Sequence, residues 1–220
     1  MKTIFTFILI FTLHIHLLAQ SNLLHRVTDP SIAQWEEGDN VGYADANGNM
    51  IIPFGKYKYC YTEKFDKIAF VGIANREGIY AIDRNENVLF KVYITDNKPD
   101  IIQENTFRIE SNGKIGFADI YGNVIISPQF NAAWPFQEGF AGVSTGGTKK
   151  QTGDYQTYTG GKWKFINKNG IPINNEEYDD LRPFKNGAAL VMKAGKWGKI
   201  NQNGELVLPI KYTFDSANQQ

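Results

Sequence analysis

The 220-residue chain has one cysteine, three histidines and no surplus of either charge, with 23 basic against 23 acidic residues. Each scarcity removes a class of function. A single thiol, Cys60, cannot close an internal disulfide, so any exported domain here is held by its core and not by covalent staples. In "KYKYCYTEKF" Cys60 reads as a buried or half-buried strand residue, since reactive thiol chemistry needs a basic partner that the surrounding residues do not identify. Balanced charge gives no electrostatic footprint for nucleic acid or an anionic membrane surface.

Histidine and cysteine also lack the paired spacings of a metal site, and no Gly-x-Ser-x-Gly elbow is present. His14 and His16 lie in the first twenty residues, which leaves His25 as the one histidine further on. "DANGN", at 45–49, carries its glycine in the wrong place for a helix-loop-helix calcium loop and reads as a turn. The acidic pairs Glu36-Glu37, Glu176-Glu177 and Asp179-Asp180 read as solvated surface charge. A two-carboxylate hydrolase needs a set separation across a cleft, which adjacent residues do not supply.

No apolar run is long enough to span a bilayer. The longest, from Ile4 to about Leu13, follows Lys2, is broken by His14 and His16, and gives way to Leu17-Leu18-Ala19 before Gln20. Spanning needs about 20 residues, whereas this shape is that of a secretory signal peptide cut after Ala19. No cysteine follows the cut, so lipid attachment there is not supported. The expectation is an extracytoplasmic location, whether periplasmic, surface-bound or secreted.

What the chain has instead is internal repetition, which decides the fold class. Five segments align: VGYADANGN from Val41, IYAIDRNEN from Ile79, IGFADIYGN from Ile115, WKFINKNGI from Trp163 and WGKINQNGE from Trp197. Their second positions, Gly42, Tyr80, Gly116, Lys164 and Gly198, step by 38, 36, 48 and 34 residues. Four segments place Asp or Asn three residues before Gly, the pattern of a type I turn closed by a left-handed glycine with a bulge. In the second segment Glu86 takes the glycine's place, so either Asn87 adopts the left-handed conformation or the turn is degenerate.

Short apolar runs follow the turns: Met50-Ile51-Ile52-Pro53, Val124-Ile125-Ile126 and Leu206-Val207-Leu208-Pro209. Their composition predicts strands buried on both faces. A second block begins at Phe65, Phe130 and Tyr178, and its ends at Gly139–Val143 and Gly187–Val191 predict a third buried strand. Alternation puts Trp163 and Phe165 on one face with Ile115 and Phe117, and Gly116 or Gly198 on the other. On this reading Trp and Gly form a packing pair, the ring filling space that the glycine leaves.

"GKWGKINQNGELVLPIKY" and "GKIGFADIYGNVIISPQFNAAWPFQEGFAGV" resemble the WG-repeat (KWG-type) proteins of bacteria. Those units carry a Lys-Trp-Gly start, an Asn-Gly turn, a Pro after an apolar strand and a Phe-x-x-Gly-x-Ala close. The likeness spans roughly residues 39–215, and Ile79-Tyr80 in place of Trp-Gly makes the second unit depart most. The resemblance implies a β-rich repeat array, often exported, with no established catalytic residues to carry over.

The expected architecture is therefore all-β: an open, curved array of about five antiparallel β-hairpin repeats, with a closed small β-propeller as the alternative. The expected layout is a signal peptide at 1–19, a capping segment at 20–38, and a tail at 216–220. Between them lie units near 39–74, 75–110, 111–159, 160–192 and 193–215. The 48-residue step comes from "STGGTKKQTGDYQTYTGG", which replaces a short connection and reads as an exposed hairpin or as a binding tongue with Lys149, Lys150, Tyr155 and Tyr158 as contacts. The expected function is an exported, non-enzymatic binding or scaffold surface for a protein, peptide or cell-envelope partner. No cofactor or metal is expected. A glycan-binding module is the alternative, and a carboxylate-dependent hydrolase comes third.

Overall fold

The structure is a computed structural model that describes residues 23–31, 40–152 and 155–220, with 149–152 and 155–159 described as strand backbone. The signal peptide expected at 1–19 and the Glu36-Glu37 pair lie outside the described residues. The chain divides into two compact units, Met1–Ile94 and Thr95–Gln220. The described residues of both are built almost wholly into antiparallel strands.

The first unit contains β1 (Leu24–Thr28), β2 (Val41–Ala44), β3 (Met50–Ile52), β4 (Tyr59–Cys60), β5 (Lys64–Phe65), β6 (Ile68–Gly72), β7 (Ile79–Asp83) and β8 (Val88–Val92). One sheet runs β3-β2-β1-β5, and β4-β6-β7-β8 pair in that order. Leu24, Tyr43, Ile52, Tyr57, Cys60, Phe65, Ala69, Val71 and Ile82 form the core. The Tyr43 hydroxyl, buried with them, donates to Thr62 O at 2.8 Å. Burial pushes the Cys60 thiol up to about 11, so it stays protonated and behaves as a core residue.

A short ribbon of β9 (Ile94–Thr95), whose two residues fall on either side of the division, and β10 (Lys98–Pro99) precedes the strands of the second unit. There follow β11 (Thr106–Ser111), β12 (Lys114–Asp119), β13 (Val124–Phe130), β14 (Ala132–Ala133), β15 (Phe140–Thr145), β16 (Thr148–Thr152), β17 (Tyr155–Thr159), β18 (Lys162–Asn167), β19 (Asp180–Leu181), β20 (Ala188–Lys193), β21 (Lys196–Asn201) and β22 (Leu206–Tyr212). The helix α1 (Phe214–Asn218) follows β22, and the Thr213 hydroxyl caps it. The groupings are β13-β12-β11, β14-β15-β18, β16-β17 and β19-β20-β21-β22. Phe165, Tyr178, Leu181, Phe184, Ala189, Val191 and Ile200 form one core cluster. Among the described residues no sheet of either unit closes on itself: the sheets are open, as the open array required.

The turns follow the expected chemistry. Gly48, Gly122, Gly170 and Gly204 all have positive φ, and the ladders shift register beside three of them. At the second hairpin neither expectation holds: Glu86 itself is left-handed, at φ 65, and the turn is intact, with Glu86 N–H donating to Asp83 O at 3.0 Å. Lys56 Nζ at 2.7 Å and the Tyr57 hydroxyl at 3.2 Å hold the Glu86 carboxylate and offset the strain.

Two expectations need correction. The apolar runs after the turns are not buried on both faces: Met50, Ile51, Val124, Leu206 and Val207 are exposed, and burial starts at the third residue, as at Ile52 and Ile126. β3, β13 and β22 each end their sheet, so the residues next to the turn project past the core.

The second correction concerns glycine. A Cβ on Gly42 would lie 2.5 Å from Ile52 O, one on Gly116 2.5 Å from Pro128 N, and one on Gly198 2.5 Å from Leu208 O. Glycine therefore makes room for the facing strand's backbone, not for an indole. Gly116 faces Ser127-Pro128-Gln129, and Gly198 faces Pro209-Ile210-Lys211, in bulges where a proline's missing N–H costs no ladder bond. Tyr80 pairs one-to-one with Lys91, without bulge or proline. Lys164 faces a wider excursion, 174–177, between the Phe165 to Ile173 hydrogen bond and the Trp163 to Tyr178 bridge. Glycine is thus required only where a tight, proline-bearing bulge crosses it.

Candidate functional site

The two emblem tryptophans have a role that repeats. Trp134 and Arg182 each stand three residues before the first residue of a tight turn, Gln137 and Lys185. Each lays a flat group over the next unit's tryptophan. The Trp134 ring stacks on Trp163 with centroids 6.4 Å apart and planes 28° from parallel, and the Arg182 guanidinium lies 5.0 Å from the Trp197 centroid. Trp197 is 7 % exposed, closed on another side by Phe214 of α1 at 5.1 Å, with Leu190 and Ala217 in the same cluster. Trp163 is half-buried against the core cluster around Phe165 and Tyr178. Both are packing groups, as the repeat implied. Trp134, at 38 % exposed, is the large aromatic that this stack leaves open.

At the same turn-minus-three position the unit around Phe107 has Asp100, a residue that no motif had singled out. Asp100 is buried and pairs with Arg108: Oδ1 lies 2.5 Å from Nη2, and Oδ2 accepts the Arg108 backbone N–H at 2.8 Å and Nε–H at 3.0 Å. Arg108 Nη1 donates to Ala133 O at 2.7 Å. Here an ion pair fills the space that Trp134 and Gly142 share elsewhere, a Cβ on Gly142 lying only 3.0 Å from Trp134 Cδ1. The position relative to the turn was the available sequence signal. It does not predict that an acid there will be buried.

The acidic pairs at 176–180 are surface ion pairs. Lys162 Nζ lies 2.5 Å from Asp179 Oδ1, Lys164 pairs with Glu177 at 3.4 Å, Arg182 with Asp180 at 2.7 Å, and Lys193 with Glu176. The Lys162 hydrogen bond, then the Ala194 N–H, hold the Asp179 carboxyl below its ordinary range, and the same bond raises Lys162. Each carboxylate is tied to its own cation, so no two converge on a shared reacting position. His25 is half-buried in β1, opposite Ala44. Among the described residues no cluster of His, Cys, Asp and Glu could hold a metal ion, and no helix is long and apolar enough to cross a membrane.

The 48-residue step is a hairpin arm. β15 and β18 pair as far as Thr145↔Lys162, and β16 and β17 take up the same register at Thr148↔Thr159. Between them Gly146, Gly147, Gly160 and Gly161 all have φ from 73 to 80. A Cβ on Gly147 would meet Gly160 O at 2.7 Å, so only glycine fits this knuckle. Of the expected contact residues, Lys149 and Lys150 are on β16, opposite Tyr158 and Thr157, and Tyr155 is on β17, opposite Thr152. Their side chains lie outside the described residues, as do 153–154.

Hairpins repeated in sequence, with their recurrent residues engaged in turns, bulges and stacking, define a β-repeat scaffold. The family is identified by the model for WG containing repeat proteins, which matches residues 42–75, 115–148, 165–197 and 197–214. These segments cover more than half of the chain, which belongs to that family. The hairpin beginning at Ile79, where Tyr80 removes the need for glycine, lies outside them. No curated protein matches the chain.

Proposed function

We propose that this chain is an exported, non-enzymatic repeat protein whose hairpins form a scaffold that presents a binding surface to a protein, peptide or cell-envelope component. One observation carries the reading. The residues that would attract a functional interpretation, Trp163, Trp197 and the acidic pairs at 176–180, are each engaged with a side chain of their own or an adjacent repeat unit. The two-stranded arm of β16 and β17 and the partly open ring of Trp134 are the places this reading puts that surface. Function concentrates on such additions to a rigid frame.

The test is a comparison of captured partners. The immobilised chain is exposed to a cell-envelope extract beside two variants, one with 146–161 replaced by a short turn and one with Trp134→Ala. A partner lost from the arm variant with its fold intact supports the proposal. Identical capture by all three would sink it. Trp134 also favours a second reading, a glycan site, because an open indole face stacks on sugar rings. A glycan array distinguishes it: binding that vanishes in Trp134→Ala and survives arm replacement assigns a sugar ligand. Export through residues 1–19 is checked by N-terminal sequencing of the extracytoplasmic protein, which should begin at Gln20.

A further inference from the structure

We propose that the arm is a self-association element: β17 pairs antiparallel with β17 of a second copy, giving the order β16-β17-β17-β16 across a two-fold axis at Thr157. The argument begins with the four-glycine knuckle. It separates the arm from the β14-β15-β18 sheet while keeping its register, so β16 and β17 stand as a two-stranded sheet, with β16 the one strand neighbour of β17 among the described residues. A two-stranded ribbon alone is marginal in water, and three or more strands are needed for stability. Every second residue of an edge strand turns its N–H and C=O outward, a template for another strand.

Charge selects the edge and the occupant. Edge strands are commonly blunted with lysine, and β16 has two, Lys149 and Lys150. β17, Tyr155-Gln156-Thr157-Tyr158-Thr159, has no charge, no proline and no glycine, and four of its five residues are β-branched or aromatic. It is composed like an interior strand and left at an edge. A second β17 is the partner that fits this edge in antiparallel register: Thr157 meets its own copy, and each Tyr155 falls opposite a Thr159, a favourable cross-strand pairing. The lysine strands lie outermost, away from one another. The contact is isologous, so it closes at two copies. Five residues per strand make a small interface, which sets the expected affinity in the weak, micromolar-to-millimolar range.

The full chain is examined by analytical ultracentrifugation at rising concentration up to about 0.5 mM. The wild type is expected to show a monomer–dimer equilibrium. Tyr158→Pro removes a donor from the open edge and Gln156→Lys charges that edge; each should raise the dissociation constant at least about tenfold. Replacing 146–161 by a short turn should leave a monomer with an unchanged far-ultraviolet spectrum. Under mild oxidation with oxidised glutathione, Thr157→Cys should give a disulfide-linked dimer, its two thiolates joining as glutathione is reduced, whereas Lys149→Cys should not. A wild type that stays monomeric throughout, or a dimer that persists after arm replacement, would overturn the proposal.

Discussion

The carboxylate of Glu138 accepts the backbone N–H groups of both Asn186, at 2.6 Å, and Gly187, at 2.8 Å. Glu138 occupies the left-handed position of one tight turn, at φ 52, and the two amides belong to the next, 185–188. Glu104, at φ 53, repeats the arrangement one turn earlier, accepting Gly139 N–H at 3.1 Å and pairing with Lys168 at 3.2 Å. Successive turns are thus joined by a carboxylate that caps its neighbour.

Removing that cap should loosen a turn 48 residues away. Glu138→Ala should cost about 1.5–3 kcal/mol, the range for hydrogen bonds to a charged group, and speed amide exchange at Asn186 and Gly187. Glu138→Gln keeps one acceptor oxygen and should fall between. Unchanged exchange at Gly187 in the Ala variant would show that the bond carries no stability.

Gly116 and Gly198 are required by backbone crossing, so Gly116→Ala should destabilise by about 1–3 kcal/mol, the usual cost of forcing extra volume into a packed site. The intrinsic strand preference runs the other way, since glycine inside a strand is weaker than alanine by about 0.5–1 kcal/mol. The denaturation midpoint therefore reports which effect wins. A rise would refute the crossing account.

Exposure separates the tryptophans. Trp197→Ala empties a site closed by Arg182 and Phe214 and should cost about 3–5 kcal/mol. Trp134→Ala loses one stacked neighbour and should cost about 1 kcal/mol. Equal losses, measured by urea titration, would contradict these roles.

Asp100 and Arg108 are a buried, fully hydrogen-bonded pair, and Asp100→Ala leaves the guanidinium without its counter-charge. A loss of about 3–5 kcal/mol is expected. Asp100→Ala with Arg108→Met should recover part of it, because two apolar groups leave no orphaned charge.

Three hairpin turns should weaken in acid. Asp45 is held below the ordinary carboxylate range chiefly by the Asn49 side chain and then by the Asn49 N–H. Burial pulls Asp83 and Asp119 upward, but the side chains of Asn87 and Asn123, together with backbone N–H groups, bring the net shift down. A lowered folded pKa gives stability that is present above the unfolded value, about 3.9, and is lost as pH falls through the folded one. The urea midpoint should be flat from about pH 6 to 5 and fall below about pH 4. The triple variant Asp45→Asn, Asp83→Asn and Asp119→Asn should flatten that decline. Asn167 and Asn201 already accept the same backbone N–H groups in the later hairpins, so the geometry tolerates the amide.

Legibility followed the range of each interaction. The turns were readable because Asp or Asn with Gly acts over four residues, and the expected third strands are present as Phe140–Thr145 and Ala188–Lys193, buried at Ala141–Ser144 and Ala189–Val191, with Gly139 and Gly187 in the turns that precede them. Misreadings fell where a second strand or unit intervenes. The apolar runs at Met50, Val124 and Leu206 look like core by composition, yet edge placement exposes their first residues. Asn49, Asn87 and Asn123 are each bonded at 2.9 to 3.0 Å to the aspartate four residues earlier, a spacing that the sequence carries but whose side-chain bond it does not specify.

Residue order by itself determined the repeat, its turns, and the absence of paired thiols or clustered histidines, because each depends on neighbours a few positions apart. Tertiary structure alone decided that Gly116 yields to Pro128, that Arg182 covers Trp197, that Asp100 is buried with Arg108, and that Glu138 reaches the turn at Gly187. Those contacts join residues brought together by strand pairing and stacking, and a linear pattern does not specify which distant backbone will cross a given side chain.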